Sequence, residues 1–262
     1  MTLSLYQVDA FAQQVFTGNP AAVCPLSAWL ADEVLQAIAE ENNLSETAFM
    51  VAEGNGYRLR WFTPTAEVDL CGHATLAAAH VLYKHLGYTQ AEIEFYTRSG
   101  TLIVTQGADG MTMDFPVALS QVIQTPPAIV SALGVTPLQV LENFDYVVVL
   151  ENEQQVRELQ PDFLQLRQLP LRGVVVTAPG NTVDFVSRGF YPKLGINEDP
   201  VTGSAHCETV PYWAEALGKT RLHARQISRR SGDILCELRG NRVLMTGQAV
   251  TYLRGEMSLP SA

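Results

Sequence analysis

The residues best suited to chemistry lie in two short turns, Cys71–Thr75 and Thr202–His206, each followed by a helical pattern. Each turn places a glycine, Gly72 or Gly203, and small or polar residues where the helix begins. A helix N-terminus presents free N–H groups and about half of a positive charge, and glycine allows a ligand to approach the backbone closely. One such turn is typical of an ordinary helix cap. The repeated pair predicts two helix starts that face one cleft and bind an anion such as a carboxylate.

Glu46 is the first candidate for acid–base chemistry. It follows a predicted helix at 31–41 and begins an apolar strand, with Leu44 and Phe49 on either side. A carboxylate that leads into an apolar segment loses hydration, which raises its pKa towards neutrality, as a general base for a C–H proton requires. The segment taken alone also fits an exposed carboxylate at a strand edge.

Two further acid–base candidates adjoin the turns. Asp199 precedes the second turn and must be distinguished from its neighbour Glu198. His73 lies in the first turn of a helix, where the dipole lowers the pKa of an imidazole, so that the neutral ring can relay a proton. The alternative for His73 is a buried histidine satisfied within the core, which is our interpretation of His80 and His85.

Other motifs exclude some functions. The five histidines show no H-x-x-x-H or H-E-x-x-H spacing, and no phosphate loop or dinucleotide fingerprint is present, so we expect neither a metal nor a cofactor. The sequence has no arginine cluster near either turn. His206 is predicted to support the second turn from behind, and the tight turn Thr17–Pro20 is a further place where the backbone could approach a ligand.

The elements that must position these residues occur twice. Residues 62–87 and 190–218 each open with Phe-x-Pro, pass through a small-residue turn and continue as a helical pattern that ends in Leu-Gly. Ser-Gly then precedes a strand-like segment in both copies, at Gly100 and at Gly232. Matching motifs in the same order predict an internal duplication.

Each copy reads as strand, turn, helix and hairpin. The stretch ATLAAAHVLY carries no acidic residue, lysine or arginine, as is typical of a buried helix, and segments such as IEFYTR and YVVVLE are β-branched and aromatic. We therefore predict an α+β fold with two pseudo-symmetric halves, 1–118 and 119–249, each a mostly antiparallel, barrel-like sheet wrapped around a central helix. Residues 250–262 could pack on the first half. The stretch 116–145, with a short helix-like run, is predicted to connect the halves and lead into the second.

The composition of the chain disfavours some classes of binding partner. The chain has 262 residues, 47% of them hydrophobic, and a formal net charge of −10, which disfavours nucleic acid or anionic lipid as the main partner. No apolar run approaches the ~20 residues needed to span a bilayer, and the N-terminus lacks the features of a signal peptide. Four cysteines lie far apart without a CxxC motif, which indicates the reducing cytoplasm.

Taken together, the segments 8–23, 42–49, 62–82, 197–206 and 211–219 resemble the PhzF family of phenazine-biosynthesis-like isomerases. They span nearly the whole chain in the family's order. The resemblance implies a fold similar to diaminopimelate epimerase, a site between the two halves, no metal or cofactor, and a homodimer.

Residue by residue, the resemblance places the family's acid–base carboxylate on Glu46 and its supporting histidine on His73. The aspartate and serine of the family's DPxTGSA segment fall on Asp199 and Ser204. The function implied is a proton shift on a small, anionic, carboxylate-bearing metabolite. The predicted substrate-binding residues are Ser45, Gly72, Ala74, Thr202, Gly203 and Ser204.

Some positions depart from the family pattern and leave alternatives open. Related epimerases use one cysteine per half, whereas here Cys71 is matched by Thr202, which argues against two-thiol racemisation. Gly189 stands where the family usually has an aromatic residue, and Glu208 is unusual in an apolar helix, so the substrate stays open. The alternatives are a racemase or epimerase that uses Cys71 as one base, and a small-molecule-binding protein that has lost the chemistry.

Overall fold

The computed structural model describes residues 1–259, which form two compact units. The first unit comprises Met1–Asp114 and the C-terminal segment that begins at Thr246, and the second comprises Phe115–Met245. Within the described residues, no helix is long and apolar enough to cross a membrane.

The helices and strands follow one another in chain order. The first are β1 (Thr2–Ala10), β2 (Asn19–Leu26), α1 (Asp32–Asn42), β3 (Glu46–Glu53), β4 (Gly56–Phe62), β5 (Glu67–Val68), α2 (Gly72–His85), β6 (Glu92–Thr97), β7 (Gly100–Gly107) and β8 (Gly110–Pro116). They are followed by β9 (Gln121–Ile123), α3 (Pro127–Leu133), β10 (Gln139–Glu142), β11 (Tyr146–Val149), α4 (Glu153–Glu158), α5 (Phe163–Leu166), β12 (Val174–Pro179) and β13 (Phe185–Tyr191). The last are a 3-10 turn (Pro192–Leu194), β14 (Ile196–Asp199), α6 (Gly203–Leu217), β15 (Arg221–Gln226), β16 (Gly232–Arg239), β17 (Arg242–Gly247) and β18 (Ala249–Ser258).

Strand pairing follows the same order in both units. In the first unit, β1–β2 is antiparallel, β2–β3 parallel, β3–β4 antiparallel, β4–β6 parallel and β6–β7 antiparallel. In the second unit, β10–β11 is antiparallel, β11–β12 parallel, β12–β13 antiparallel, β13–β15 parallel and β15–β16 antiparallel. The motifs that repeat in the sequence therefore lie in sheets of the same topology.

The helix α2 is buried along most of its length, as the absence of acidic residues, lysine and arginine from ATLAAAHVLY predicts. It packs against β1, β2, β3 and β18 of the same unit, with Leu76, Val81 and Leu82 fully buried. Each such side chain contributes about 1.5–3 kcal/mol when it leaves water. The apolar body of the helix thereby fixes the position of its first turn, where His73 lies.

The helix α6 occupies the equivalent position in the second unit, packed against β15 and β16. Its indole-bearing residue, Trp213, stacks on Phe185 and donates a hydrogen bond to the hydroxyl of Thr177 at 2.9 Å. The helix ends at Gly218, whose φ of 64° is left-handed and suits glycine. These contacts hold the first turn of α6, Gly203 and Ser204, in place.

The segment 116–145 leads into the second unit and forms part of it. It supplies β9, α3 and β10 to the second unit, and Ile129, Leu133 and Val140 belong to the core of that unit. Pro127 opens α3 instead of interrupting it, because the first turn of a helix does not need the N–H group that proline lacks.

Candidate active site

The turn before β2 positions a buried amide that sequence analysis did not assign. Gly18 has a φ of 66°, and a Cβ atom there would lie 2.2 Å from the carbonyl oxygen of Ala10, so the turn requires glycine. The next residue, Asn19, is fully buried. Its Oδ1 accepts a hydrogen bond from Ser45 at 3.4 Å, and its Nδ2 lies 3.3 Å from Nδ1 of His73.

Glu46 and His73 meet in the first unit. Glu46 is the first residue of β3 and His73 the second of α2, and Oε2 of Glu46 lies 3.1 Å from Nε2 of His73. Both atoms are buried, yet the contact falls outside hydrogen-bond geometry and neither atom has another partner among the described residues. Buried polar atoms are costly to leave unpaired, and such exceptions in native proteins are often found at catalytic sites.

The neighbours of His73 determine its charge. Burial by itself lowers the pKa of His73, but Cys71 and Glu46 raise it well above its ordinary value. Burial raises the pKa of Cys71 to about 11, so its thiol is protonated at neutral pH, and Glu46 is the charge that favours the imidazolium. The predicted lowering of the His73 pKa is therefore wrong, because a carboxylate 3.1 Å away outweighs the helix dipole.

Cys71 completes a cluster that the sequence spacing did not reveal. Its sulfur lies 3.5 Å from Nδ1 of His73, whereas Glu46 contacts the other ring nitrogen. Ligand-type atoms of the three residues lie within 4.8 Å of one another, close enough to share a metal ion. A cysteine binds metal as the thiolate, which burial disfavours here, and a site without metal stays our prediction.

Cys71→Ser is expected to retain most of the activity. The thiol is 7% exposed and protonated at neutral pH, so it is a poor base and a poor target for alkylation. The rate of turnover and the rate of inactivation by iodoacetamide measure this, with Cys24→Ser, another buried thiol of the same unit, as the control. Complete inactivation that substrate prevents would instead support a racemase that uses Cys71.

In the second unit, Asp199 lies against the start of α6. Its Oδ2 accepts a hydrogen bond from the hydroxyl of Thr202 at 2.5 Å, and its carbonyl oxygen accepts one from Nε2 of buried Gln226 at 2.8 Å. Gln226 also accepts the Thr202 N–H at 2.8 Å. The neighbouring acid Glu198 points elsewhere and pairs with Arg188 at 2.7 Å. The fold thus brings Asp199, and not Glu198, to the helix start.

The first turns of α2 and α6 share an open arrangement. The N-cap residues, Cys71 and Thr202, make no capping hydrogen bond with their side chains, and neither first turn contains an acidic residue. N–H groups at an uncapped, positive helix end suit an anion. The second start also has an arginine nearby that the sequence did not predict, since Arg172 Nη2 donates to Oγ of Ser204 at 2.9 Å.

The departure at Gly189 has a steric reason. A Cβ atom there would lie 2.9 Å from Cε2 of the Tyr191 ring and 3.1 Å from Oγ1 of Thr202. Tyr191 is buried and lies two residues further along β13. The aromatic side chain at this point of the strand therefore comes from residue 191, and glycine at 189 makes room for its ring.

His206, His80 and His85 make the contacts of structural residues. His206 is fully buried, its Nδ1 lies 2.8 Å from the carbonyl oxygen of Thr202, and burial lowers its pKa to about 4. His80 and His85 both contact the hydroxyl of Thr251, at 2.9 and 2.7 Å. None of the three contacts Glu46 through a described hydrogen bond or ion pair.

The whole chain is similar to proteins of one family. A family model described as phenazine biosynthesis-like protein matches residues 8–255. An uncharacterised isomerase of Pseudomonas aeruginosa is 54% identical over 259 residues, which are 99% of this chain and 100% of the relative. The human phenazine biosynthesis-like domain-containing protein is 36% identical over 287 residues, 98% of this chain and 100% of the relative.

Solved structures extend the comparison to the fold. A PhzF-family protein of Enterococcus faecalis is 49% identical, with a TM-score of 0.97 over 99% of this chain and 100% of that protein. A hydroxyproline epimerase from Agrobacterium vitis is 11% identical, with a TM-score of 0.64 over 98% of this chain and 93% of that protein, and shares the fold alone. The predicted α+β, diaminopimelate-epimerase-like fold class is thereby confirmed. This chain belongs to the PhzF family of phenazine biosynthesis-like proteins.

Proposed function

We propose that this chain is an isomerase that moves a proton on a small carboxylate-bearing metabolite, with Glu46 as the acid–base group and His73 as its partner. The observation that carries the proposal is the pair of buried atoms, Glu46 Oε2 and His73 Nε2, which lie 3.1 Å apart and have no hydrogen-bond partner among residues 1–259. The names of relatives, such as the isomerase of Pseudomonas aeruginosa, support the reaction class.

In the proposed reaction, Glu46 takes a proton from one carbon of the substrate and returns it to another, so the product is an isomer. The His73 imidazolium offsets the charge of the carboxylate before the transfer, and its Nδ1–H faces the Cys71 sulfur, a weak acceptor, at 3.5 Å. N–H groups at the start of α2 would stabilise negative charge that develops on the substrate. Because one carboxylate both accepts and returns the proton, the proposed step needs no metal or cofactor.

The second-unit residues remain part of the proposal. Asp199, Thr202, Gly203 and Ser204 are supported by the uncapped start of α6 and by the Asp199–Thr202 hydrogen bond. The proposed protein is a homodimer of the cytoplasm that acts on a small anionic molecule.

Proton exchange in D₂O tests the proposed reaction class. The protein is incubated with a panel of amino acids, hydroxy acids and unsaturated carboxylic acids, and NMR follows incorporation of deuterium at carbon. With the native protein, we expect at least one carboxylic acid to incorporate deuterium and to show a proton moved from one carbon to another. Heat-denatured protein should give neither change. Inversion of configuration alone would favour the racemase alternative, and binding of a panel member without exchange would favour the binding protein.

A further inference from the structure

Arg172, Asp145, Ser204 and Glu208, linked by side-chain hydrogen bonds and one backbone N–H, cluster at the start of α6 in the second unit and are here called the Arg172 ring. Arg172 donates through Nη2 to Ser204 Oγ at 2.9 Å, and through Nε and Nη2 to the carboxylate of Asp145 at 3.0 and 2.5 Å. The Asp145 N–H donates to Oε1 of Glu208 at 3.3 Å. Ser204 and Glu208 are one helical turn apart on the same face of α6, which closes the ring.

The Arg172 ring contains polar groups without partners. Glu208 is 1% exposed, and its Oε2 has no hydrogen-bond partner among the residues described. Arg172 Nη1 makes no hydrogen bond within the described part of the chain, although its side chain is 35% exposed. The Ser204 oxygen accepts from Arg172, which leaves the hydroxyl proton for an acceptor that residues 1–259 do not supply. Nη1–H and the Ser204 O–H are thus two donors on side chains that one hydrogen bond joins.

Packing holds the guanidinium in a fixed orientation. Its Cζ lies 4.7 Å from the ring centroid of Phe144 and 5.2 Å from that of Tyr191. The Tyr191 hydroxyl donates to Oδ2 of Asp145 at 3.3 Å, so the tyrosine supports both members of the ion pair. Because Asp145 and Ser204 take the Nε–H and the two Nη2 hydrogens, the stacked guanidinium leaves its Nη1 hydrogens for another acceptor.

The charges of the Arg172 ring permit an anion at neutral pH. Burial and the charge of Asp145 raise the pKa of Glu208 to about 8, although the hydrogen bond from the Asp145 N–H and the charge of Arg172 act in the opposite direction. At neutral pH Glu208 therefore keeps its proton, and Arg172 and Asp145 cancel. Ionised Glu208 would make the ring negative and repel an anion. Asp145 and Arg172 are the charged groups that face Glu208, and Cys207 is its protonated neighbour.

We propose that the Arg172 ring binds a carboxylate group through Arg172 Nη1 and the Ser204 hydroxyl. That the carboxylate belongs to the substrate rests on the proposed function. Thr202, Gly203 and Ser204 were predicted to bind substrate at this helix start, whereas the sequence assigned no binding role there to Arg172 or Glu208.

Acetate, with acetamide as the uncharged control, is the probe. NMR of the arginine side-chain N–H signals at pH 6.5 should show a saturable shift of the Arg172 signal with acetate and none with acetamide. Arg172→Lys should weaken acetate binding about tenfold or more, the scale of a lost hydrogen bond between charged groups, and Ser204→Ala should weaken it severalfold. Arg225→Lys is the control, because Arg225 is also 35% exposed and paired with an aspartate in the same unit.

Two variants keep the proposal testable if Arg172→Lys does not fold. Ser204→Ala and Glu208→Gln both leave the buried ion pair intact, and affinity for acetate should fall above pH 8 in the wild type but not in Glu208→Gln. No saturable shift, equal affinity in Ser204→Ala, or the same pH dependence in both proteins would overturn the proposal. Acetate binding requires no turnover, so it can fail while the D₂O exchange succeeds, and the reverse.

Discussion

Glu46→Gln is expected to lower turnover by about 10²-fold or more while the protein still folds, as is usual when a proton-transfer group is lost. Glutamine has nearly the same shape and can occupy the space beside His73, but it cannot hold the proton between the two carbons. The loss should appear in kcat, with little change in KM, because the carboxylate acts on the reacting carbon. Deuterium incorporation and steady-state kinetics on the same substrate measure the effect, and circular dichroism verifies the fold.

Glu53→Gln is the matched control for this experiment. Glu53 ends the same strand, β3, but its side chain is 46% exposed and pairs with Arg58, so its loss should leave turnover unchanged. The variant His73→Gln and the double variant Glu46→Gln/His73→Gln extend the experiment. If the two residues act as one unit, the double variant should lose less turnover than the two single losses predict together. Normal turnover by Glu46→Gln on the true substrate would refute the assignment of Glu46.

The first-unit site shows what could be predicted from the sequence and what could not. Glu46 and His73 were both selected from local pattern and family resemblance, and the structure brings them together. The charge of His73 was predicted wrongly because local reasoning included only the helix dipole. The carboxylate that reverses the shift lies 27 positions earlier in the chain, and only strand pairing and helix packing place it beside the ring.

The second unit shows a different limit. The residues around Ser204 come from separate elements: Arg172 lies 32 positions away, and Asp145 lies 63 positions from Glu208. No local motif connects them, so the sequence showed only an odd acid in an apolar helix at Glu208. The contact of Tyr191 with Asp145 could not be predicted from the sequence either. The glycine two positions earlier, Gly189, was the one local feature that indicated space for an aromatic ring.

Glu208→Gln is expected to stabilise the protein at alkaline pH. Burial and Asp145 raise the pKa of Glu208 from 4.5 to about 8, so between these pH values the folded chain keeps a proton that the unfolded chain releases. The free energy of unfolding of the wild type therefore falls as pH rises through this window. The loss is complete above pH 8, where Glu208 is ionised in both the folded and the unfolded chain. Glutamine has no such proton and can still accept the Asp145 N–H. Relative to wild type, the variant should gain about 3 kcal/mol between pH 5 and pH 8.

Urea denaturation of both proteins at pH 5, 6.5 and 8 measures this gain, and the difference between them cancels the titration of shared groups such as His206. Glu215→Gln is the control, because Glu215 lies on the same helix but is exposed. The free energy of unfolding of this variant should follow that of the wild type at each pH. A constant difference between Glu208→Gln and wild type from pH 5 to pH 8 would mean that Glu208 is ionised in the folded protein. The Arg172 ring would then carry a net negative charge at neutral pH, and it could not bind a carboxylate in the way proposed.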